Sequence, residues 1–177
     1  MGRMFETGIF AGTSRSSISF RQVNRKGTAS YDPGMQRHHV LPRQLLKQDC
    51  FAGLFADVGR RAIGFDDFRA NGLLLPATEA ATVRTGMPLH RGPHRQYNEM
   101  VIERVGRIEE HWSHRRPGDP DRSLVEALER LRLLQSALRR RLLSERRHVV
   151  LNRNDPLGAG FDFTELDAMA ETLWRAT

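Results

Sequence analysis

The sequence predicts an α+β protein that is mostly helical and contains one short pair of strands. Two stretches, residues 97–112 and 124–142, carry apolar side chains at the three- and four-residue spacing of helices. Extended apolar runs are short, and they fall near Val40 and at Leu73–Leu75. With 177 residues, the chain is long enough to bury a core. We therefore expect several helices and a hairpin-like strand pair near Val40 and Leu74.

Changes in composition divide the chain into three parts. Residues 1–35 are rich in Gly, Ser, Thr and Arg, show no helical period, and are expected to form an N-terminal arm. Residues 36–112 hold the predicted strands and most of the chemically informative residues, and are expected to form the core. Residues 113–177 are expected to form a C-terminal helical extension.

The first half of the core alternates helix, turn and strand signals. A proline that suits a first helical turn and the apolar residues after it predict a helix over residues 42–58. Residues 59–70 are expected to be a connector. The pair Asn71-Gly72 predicts a turn before the strand at Leu73–Leu75. The Gly- and Pro-rich residues 85–93 are expected to be a loop.

Two long helices are predicted after this loop. The first begins near Pro93 or His94 and extends to Trp112. The second follows a linker and has a candidate capping box at its start, formed by Ser123 and Glu126. Its leucines, from Leu124 to Leu142, share one face that we interpret as core or as the seam of a homodimer. A last helix is expected over residues 164–174.

The net charge of +7 favours an acidic partner such as nucleic acid. Lys26 and Lys47 are the only lysines, so arginine, which binds phosphate bidentately, carries almost all of the positive charge. GC-rich coding would also enrich arginine, and composition alone does not separate the two explanations.

The single cysteine, Cys50, excludes internal disulfides and multi-cysteine zinc fingers, so any metal must be held by His, Asp or Glu. The longest apolar runs are far shorter than a membrane span, and no secretory signal follows Met1. We expect a soluble protein without a membrane partner, located in the cytoplasm or delivered into a target cell by a specialised secretion system.

Four of the seven histidines form two close pairs. His38 and His39 are adjacent, so on a strand they point to opposite faces and cannot both bind one ion from the same side. His90 and His94 are four residues apart, which at helical spacing would place both on one face. Because Gly92 and Pro93 lie between them, we expect His90 on the loop that enters the helix, from which the two imidazoles can still converge. The pairs lie on either side of the Asn71-Gly72 signal, and together they predict a metal site.

Three ordered motifs carry a resemblance to a known family. They are Arg37-His38-His39-Val40-Leu41-Pro42, then residues 64–76, which end in Asn71-Gly72-Leu73-Leu74-Leu75-Pro76, then Leu89-His90-Arg91-Gly92-Pro93-His94-Arg95-Gln96-Tyr97-Asn98. Together they resemble the AHH nucleases of the HNH/endonuclease VII superfamily, of bacterial polymorphic-toxin type. The resemblance covers about residues 36–105, and Arg37 stands where the family has a small residue.

The resemblance implies a ββα-metal core and a role for each motif residue. By this resemblance His38, His90 and His94 are the metal ligands, His39 is the general base, and Asn71 is a catalytic-site residue that holds His39 or the ββ loop by a hydrogen bond. Strand register decides which of His38 and His39 is the ligand and which is the base, and the sequence does not show the register. The other candidates flank these residues: Arg37, Arg91 and Arg95 to bind nucleic acid, and Asn98 to support the site.

One divalent ion is the expected cofactor, with zinc, nickel, magnesium or manganese as candidates. Imidazole ligands favour first-row ions over magnesium, which prefers oxygen ligands. The expected partner is nucleic acid, DNA favoured over RNA, and a toxin of this type implies an acidic immunity protein. Two alternatives stay open: a non-catalytic nucleic-acid-binding module with a structural metal, which would not need His39, and an interaction protein that dimerises through the Leu124–Leu142 face.

Overall fold

The computed structural model describes residues 16–92, 94–144, 150–152 and 154–157. Within them the protein is α+β and mostly helical, with one two-stranded sheet, so the predicted fold class is confirmed. The helix expected over residues 164–174 lies outside the described residues. No helix within the described ranges is both long enough and apolar enough to span a membrane.

The sheet consists of β1, Met35–His39, and β2, Gly72–Pro76, paired antiparallel. The register places His38 opposite Leu73 and His39 opposite Gly72. β2 is the more deeply buried strand, as its nearly continuous apolar sequence requires. The predicted strand pair is therefore present, and its register fixes which face each histidine of β1 occupies.

The helix predicted over residues 42–58 is wrong as a single element. The chain forms two 3₁₀ turns, Arg43–Lys47 and Asp49–Phe51, and then helix α1, Ala52–Val58. Gln48 has an extended backbone, with φ −88° and ψ 115°, and this interrupts helical hydrogen bonding between the two turns.

The predicted connector over residues 59–70 contains two short helices, α2, Arg60–Ile63, and α3, Phe68–Asn71. Asn71 is consequently the last residue of a helix rather than part of a hairpin turn. Gly72 has an extended backbone, and its close approach to Phe68 explains the glycine: a Cβ there would lie 2.3 Å from the Phe68 ring.

Three helices follow β2. They are α4, Glu79–Thr85, then α5, Arg95–Arg115, and α6, Pro120–Leu142. Helix α4 has no counterpart among the predicted elements, whereas the two long helices were predicted. The predicted capping box of α6 is wrong, because Asp119 caps the helix by accepting a hydrogen bond from the Arg122 amide, with proline at the first helical position. Ser123 lies one turn inside the helix and donates to the Pro120 carbonyl.

The leucine face of α6 is part of the core. Leu131, Leu134, Leu138 and Leu142 are buried, Leu124 and Leu128 are partly buried, and α6 packs against α5 and α1. Of the two interpretations of this face, core is the one that the structure supports. These leucines are not available to a second copy of the chain, and we do not propose a homodimer through them.

Candidate metal centre

The adjacent histidines of β1 occupy opposite faces of the strand. His38 is 3 % exposed and lies against the core, whereas His39 is partly exposed on the other side. Alternation along a strand requires this division. The two imidazoles therefore have different surroundings although they are neighbours in the sequence.

His90 and His94 reach His38 from the loop that precedes α5. The His90 amide donates to the Pro76 carbonyl at 2.6 Å, which places the loop beside the end of β2. His94 is the residue immediately before α5 and has a non-helical backbone. The three imidazole centroids are 4.3–5.3 Å apart. The pair converges through this loop geometry rather than by helical spacing.

The three histidines fit a divalent metal ion. Each offers one ring nitrogen, and the three nitrogens lie within 4.8 Å of one another. His38 Nε2, His90 Nδ1 and His94 Nδ1 are buried and have no hydrogen-bond partner among the described residues. Buried polar atoms are normally paired, so unpaired ring nitrogens on three neighbouring imidazoles are a donor set suited to a cation such as zinc.

Burial lowers the pKa of every histidine in this cluster. The pKa of His38 falls well below 6.5, through burial first and then through the neighbouring His90 and His94. Burial, followed by His94, lowers the pKa of His90 to about 4, and burial also lowers the pKa of His94. The imidazoles are therefore neutral at pH 7, which is the form that binds a metal.

These pKa values predict that the metal-free protein loses stability in mild acid. Above pH 6.5 His90 is neutral in both the folded and the unfolded chain. As the pH falls from 6.5 to 4, His90 becomes protonated in the unfolded chain but stays mostly neutral in the folded chain. The free energy of unfolding therefore decreases, by up to about 3 kcal/mol from His90 alone. Urea unfolding in chelator at pH 7.0, 5.5 and 4.5 measures the slope.

A His90→Gln variant should show a smaller loss of unfolding free energy over the same interval, because glutamine does not titrate. An equal pH slope in the parent protein and in this variant would contradict the assignment of the slope to His90.

His39 has an aromatic ring and several charged side chains as neighbours. Its ring stacks on Phe20 with centroids 3.7 Å apart and planes 4° from parallel. Burial is the main cause that lowers the pKa of His39 to about 4; Arg43 and Arg37 lower it further, and Asp66 opposes them. At pH 7 the His39 imidazole is neutral and able to accept a proton.

Asn71 ties the end of α3 to the segment that follows β1. Its side-chain oxygen accepts from the Leu41 amide at 2.7 Å, and its side-chain nitrogen donates to the carbonyls of Leu41 and Phe65 at 3.1 and 3.0 Å. Gln135 of α6 donates to the same oxygen at 3.2 Å. No described contact joins Asn71 to His39. Asn71 was predicted to hold either His39 or the ββ loop. Its hydrogen bonds to Leu41 fit the second role, in which it holds the chain between the two strands.

We expect Asn71→Ala to lower the free energy of unfolding by about 3 kcal/mol or more. The side chain is fully buried, and its loss leaves several backbone and side-chain groups without partners, each at about 1–3 kcal/mol. Asn154→Ala, at an exposed position, should change stability by less than about 0.5 kcal/mol. Urea unfolding of the two variants checks this, and equal losses would contradict it.

The remaining predicted site residues lie around the cluster. Arg91 and Arg95 are both exposed. Arg91 follows His90 on the loop that precedes α5, which we call the histidine loop, and Arg95 is the first residue of α5. Arg37 is exposed on β1 and donates to the Phe20 carbonyl at 2.7 Å. Asn98 lies one helical turn after His94 and donates to Gln44 at 3.2 Å, and its side-chain oxygen is buried without a partner among the described residues.

Sequence reasoning missed Asp155, which fixes the histidine loop. Its carboxylate accepts from the Leu89 amide at 2.7 Å, and nearby Asn152 donates to the Arg91 carbonyl. These bonds bracket His90 from a segment more than 60 residues away in the chain. No local pattern could have indicated them. Phe20 was also missed, and its only signal was an isolated aromatic residue in a polar segment.

Tyr97 packs against the His38 ring of the histidine cluster. Its ring lies 5.1 Å from that of His38, and its hydroxyl donates to the Val40 carbonyl at 2.7 Å. Burial raises the pKa of Tyr97 well above its ordinary value, so the hydroxyl keeps its proton and acts as a donor. Tyr97 therefore links the first turn of α5 to the end of β1.

A histidine of β1 that meets two histidines from the loop before α5, beside the β1–β2 sheet, is consistent with a ββα-type core. A family model described as a nuclease family of the HNH/ENDO VII superfamily with conserved AHH matches residues 19–132. The chain belongs to this AHH nuclease family, and nucleic acid is the substrate class that membership implies. No curated protein and no solved structure matches the chain.

Proposed function

We propose that this protein is a divalent-metal-dependent endonuclease that hydrolyses phosphodiester bonds, with DNA favoured over RNA. The observation that carries the proposal is the arrangement of four histidines on a nuclease-family core. Three imidazoles lie together, each with a buried ring nitrogen that has no partner among the described residues, and a fourth, His39, is neutral on the opposite face of the same strand.

His38, His90 and His94 would hold the ion. When bound, the ion supplies positive charge that polarises a phosphoryl oxygen and stabilises the departing oxygen. Zinc and nickel suit imidazole ligands better than magnesium and manganese do, because the latter two prefer oxygen ligands. The lowered pKa values keep all three ligands neutral, so protons compete little with the metal at pH 7.

His39 acts as the general base. It takes a proton from a water molecule whose oxygen forms the new bond to phosphorus, while the bond from phosphorus to the departing sugar oxygen breaks. Asn71 positions the segment that begins at Val40, directly after His39, through its hydrogen bonds to Leu41. Arg37, Arg91 and Arg95 offer guanidinium groups to backbone phosphates, and Asn98 supports the ligand loop.

The biological setting we propose is that of a bacterial toxin domain. A net charge of +7 is suited both to nucleic acid and to an acidic immunity protein that would block the same surface. Mixing the nuclease with a candidate acidic protein and measuring inhibition of cleavage would identify such a partner.

Cleavage of supercoiled plasmid tests the proposed activity. Metal-free protein is supplied with zinc, nickel, manganese or magnesium, alone and with excess chelator, and single-stranded and duplex RNA are run in parallel. We expect nicking with at least one ion, none with chelator, and faster cleavage of DNA. Cleavage that resists chelator would overturn the metal dependence. Tight nucleic-acid binding without cleavage in any ion would favour the non-catalytic binding module.

A further inference from the structure

The Phe20 ring covers one face of the His39 ring. The two rings are nearly parallel at 3.7 Å between centroids, and Phe20 also packs edge-on against Phe68 at 5.2 Å. Among the described residues, no hydrogen bond is formed by either ring nitrogen of His39. Contact with the face of the Phe20 ring therefore restrains the plane of the His39 imidazole where no hydrogen bond does so.

The turn that carries Phe20 is fixed independently of His39. The Ile18 amide donates to the Asp67 carboxylate at 3.0 Å, and the Phe68 amide donates to the Ile18 carbonyl at 2.7 Å. Ser19 forms a bridge with Asp67. The Arg37 side chain also donates to the backbone carbonyl of Phe20 at 2.7 Å. The position of Phe20 is thus fixed by contacts that do not involve His39.

A stacked ring restrains a histidine differently from a hydrogen bond. A carboxylate or carbonyl partner would fix the imidazole by occupying one of its ring nitrogens. An aromatic face fixes the plane of the ring and leaves both nitrogens at its edge, where one can face water and substrate. A base whose orientation is fixed in advance loses less rate to misalignment.

We propose that Phe20 is a positioning residue for His39, and that the flat face of its ring is the property that matters. This inference rests on the proposed function, because it assigns Phe20 a role through the general base. The segment expected to be a loosely packed arm thus contributes to the reacting centre.

Two substitutions separate the flat face from apolar bulk. Phe20→Leu keeps an apolar side chain but removes the ring, whereas Phe20→Tyr keeps the ring. We expect Phe20→Leu to lower kcat about tenfold or more with KM and bound metal unchanged, part of the ~10²–10⁴ that a general base contributes. Phe20→Tyr should stay within about twofold of the parent. Parental kcat in Phe20→Leu, or an equal loss in both variants, would overturn the proposal.

A core variant controls for simple loss of stability. Phe55→Leu removes a buried ring that contacts Phe51 and Phe65 and does not touch His39. It should lower the melting temperature at least as much as Phe20→Leu while leaving kcat unchanged. A loss of kcat in Phe55→Leu that matched its loss of stability would show that stability alone explains the Phe20 result, and would overturn the proposal.

A double-mutant cycle tests whether Phe20 acts through His39. In a His39→Ala background, Phe20→Leu should reduce the residual rate no further, because the group it positions is absent. A full additional loss would overturn the proposal.

A spectroscopic signature is independent of activity. The ring protons of His39 should be shifted upfield by the Phe20 ring current, and this shift should disappear in Phe20→Leu. Its absence from the parent protein would overturn the stacking. If the parent protein shows the shift but cuts no nucleic acid with any ion, the proposed function fails, and the positioning role fails with it while the stacking stands. If the parent protein cuts nucleic acid and the Phe20 variants cut it at the parental rate, the positioning role fails and the proposed function stands.

Discussion

Replacing His90 and His94 together by alanine should abolish metal binding and phosphodiester cleavage in one step. Two of the three buried ring nitrogens that face one another would be lost, and a single imidazole from His38 cannot retain a divalent ion by itself. Because both effects have one cause, metal content and rate should fall together, the rate to the level of the chelator-treated parent.

Mass spectrometry of dialysed protein and plasmid nicking on the same preparation measure both quantities. The matched control is the double variant His111→Ala, His114→Ala, which removes two histidines from the distant part of α5. The control should keep one ion per chain and the parental rate. Stoichiometric metal retained in the His90 and His94 double variant would refute the site.

Replacing His39 by alanine should instead separate metal binding from cleavage. The His39 imidazole lies on the face of β1 opposite to His38, so its loss leaves the three converging nitrogens in place. We expect bound metal to be unchanged and the cleavage rate to fall by about 10²–10⁴, which is the usual contribution of a general base.

His38→Ala is the informative comparison, because the same strand is changed by the same substitution one position earlier. It should lose metal affinity and activity together. Loss of metal in His39→Ala with retention in His38→Ala would show that the two roles are reversed. Parental cleavage by both variants would contradict the assignment of either residue to the reaction.

The elements of the fold could be predicted where local spacing determines them. The periodic apolar residues of α5 and α6 and the short run in β2 are signals that act over a few residues. The break at Gln48 could not be predicted, because the residues on either side of it have helical spacing and only the extended backbone of Gln48 itself interrupts the helix. The start of α6 was misplaced because Asp119 and Ser123 are both good caps in isolation.

Within the candidate site, too, the features set by local geometry could be predicted and those set by contacts between distant segments could not. The opposite orientations of His38 and His39 follow from strand geometry and could be inferred. Which of the two lies beside His90 and His94 could not, because it depends on the strand register that the structure supplies. The approach of His90 to His38 could not be predicted. The hydrogen bonds that place the loop of His90 come from Pro76 at the end of β2 and from Asp155, which is 66 residues after Leu89. The stack of Phe20 on His39 likewise depends on anchors at Asp67 and Arg37 that no periodicity reports.

The bond from the Leu89 amide to Asp155 spans 66 residues, and this distance has a consequence for the order of events during synthesis. A ribosome releases the chain from its N-terminus, so β1, β2 and the histidine loop all emerge before the carboxylate that secures the loop. During that interval the nascent chain contains every histidine of the cluster without the anchor of the loop that carries His90. The anchored loop therefore forms only after Asp155 has been synthesised, and a chain interrupted before Asp155 would contain all four histidines of the candidate site without the carboxylate that anchors the loop.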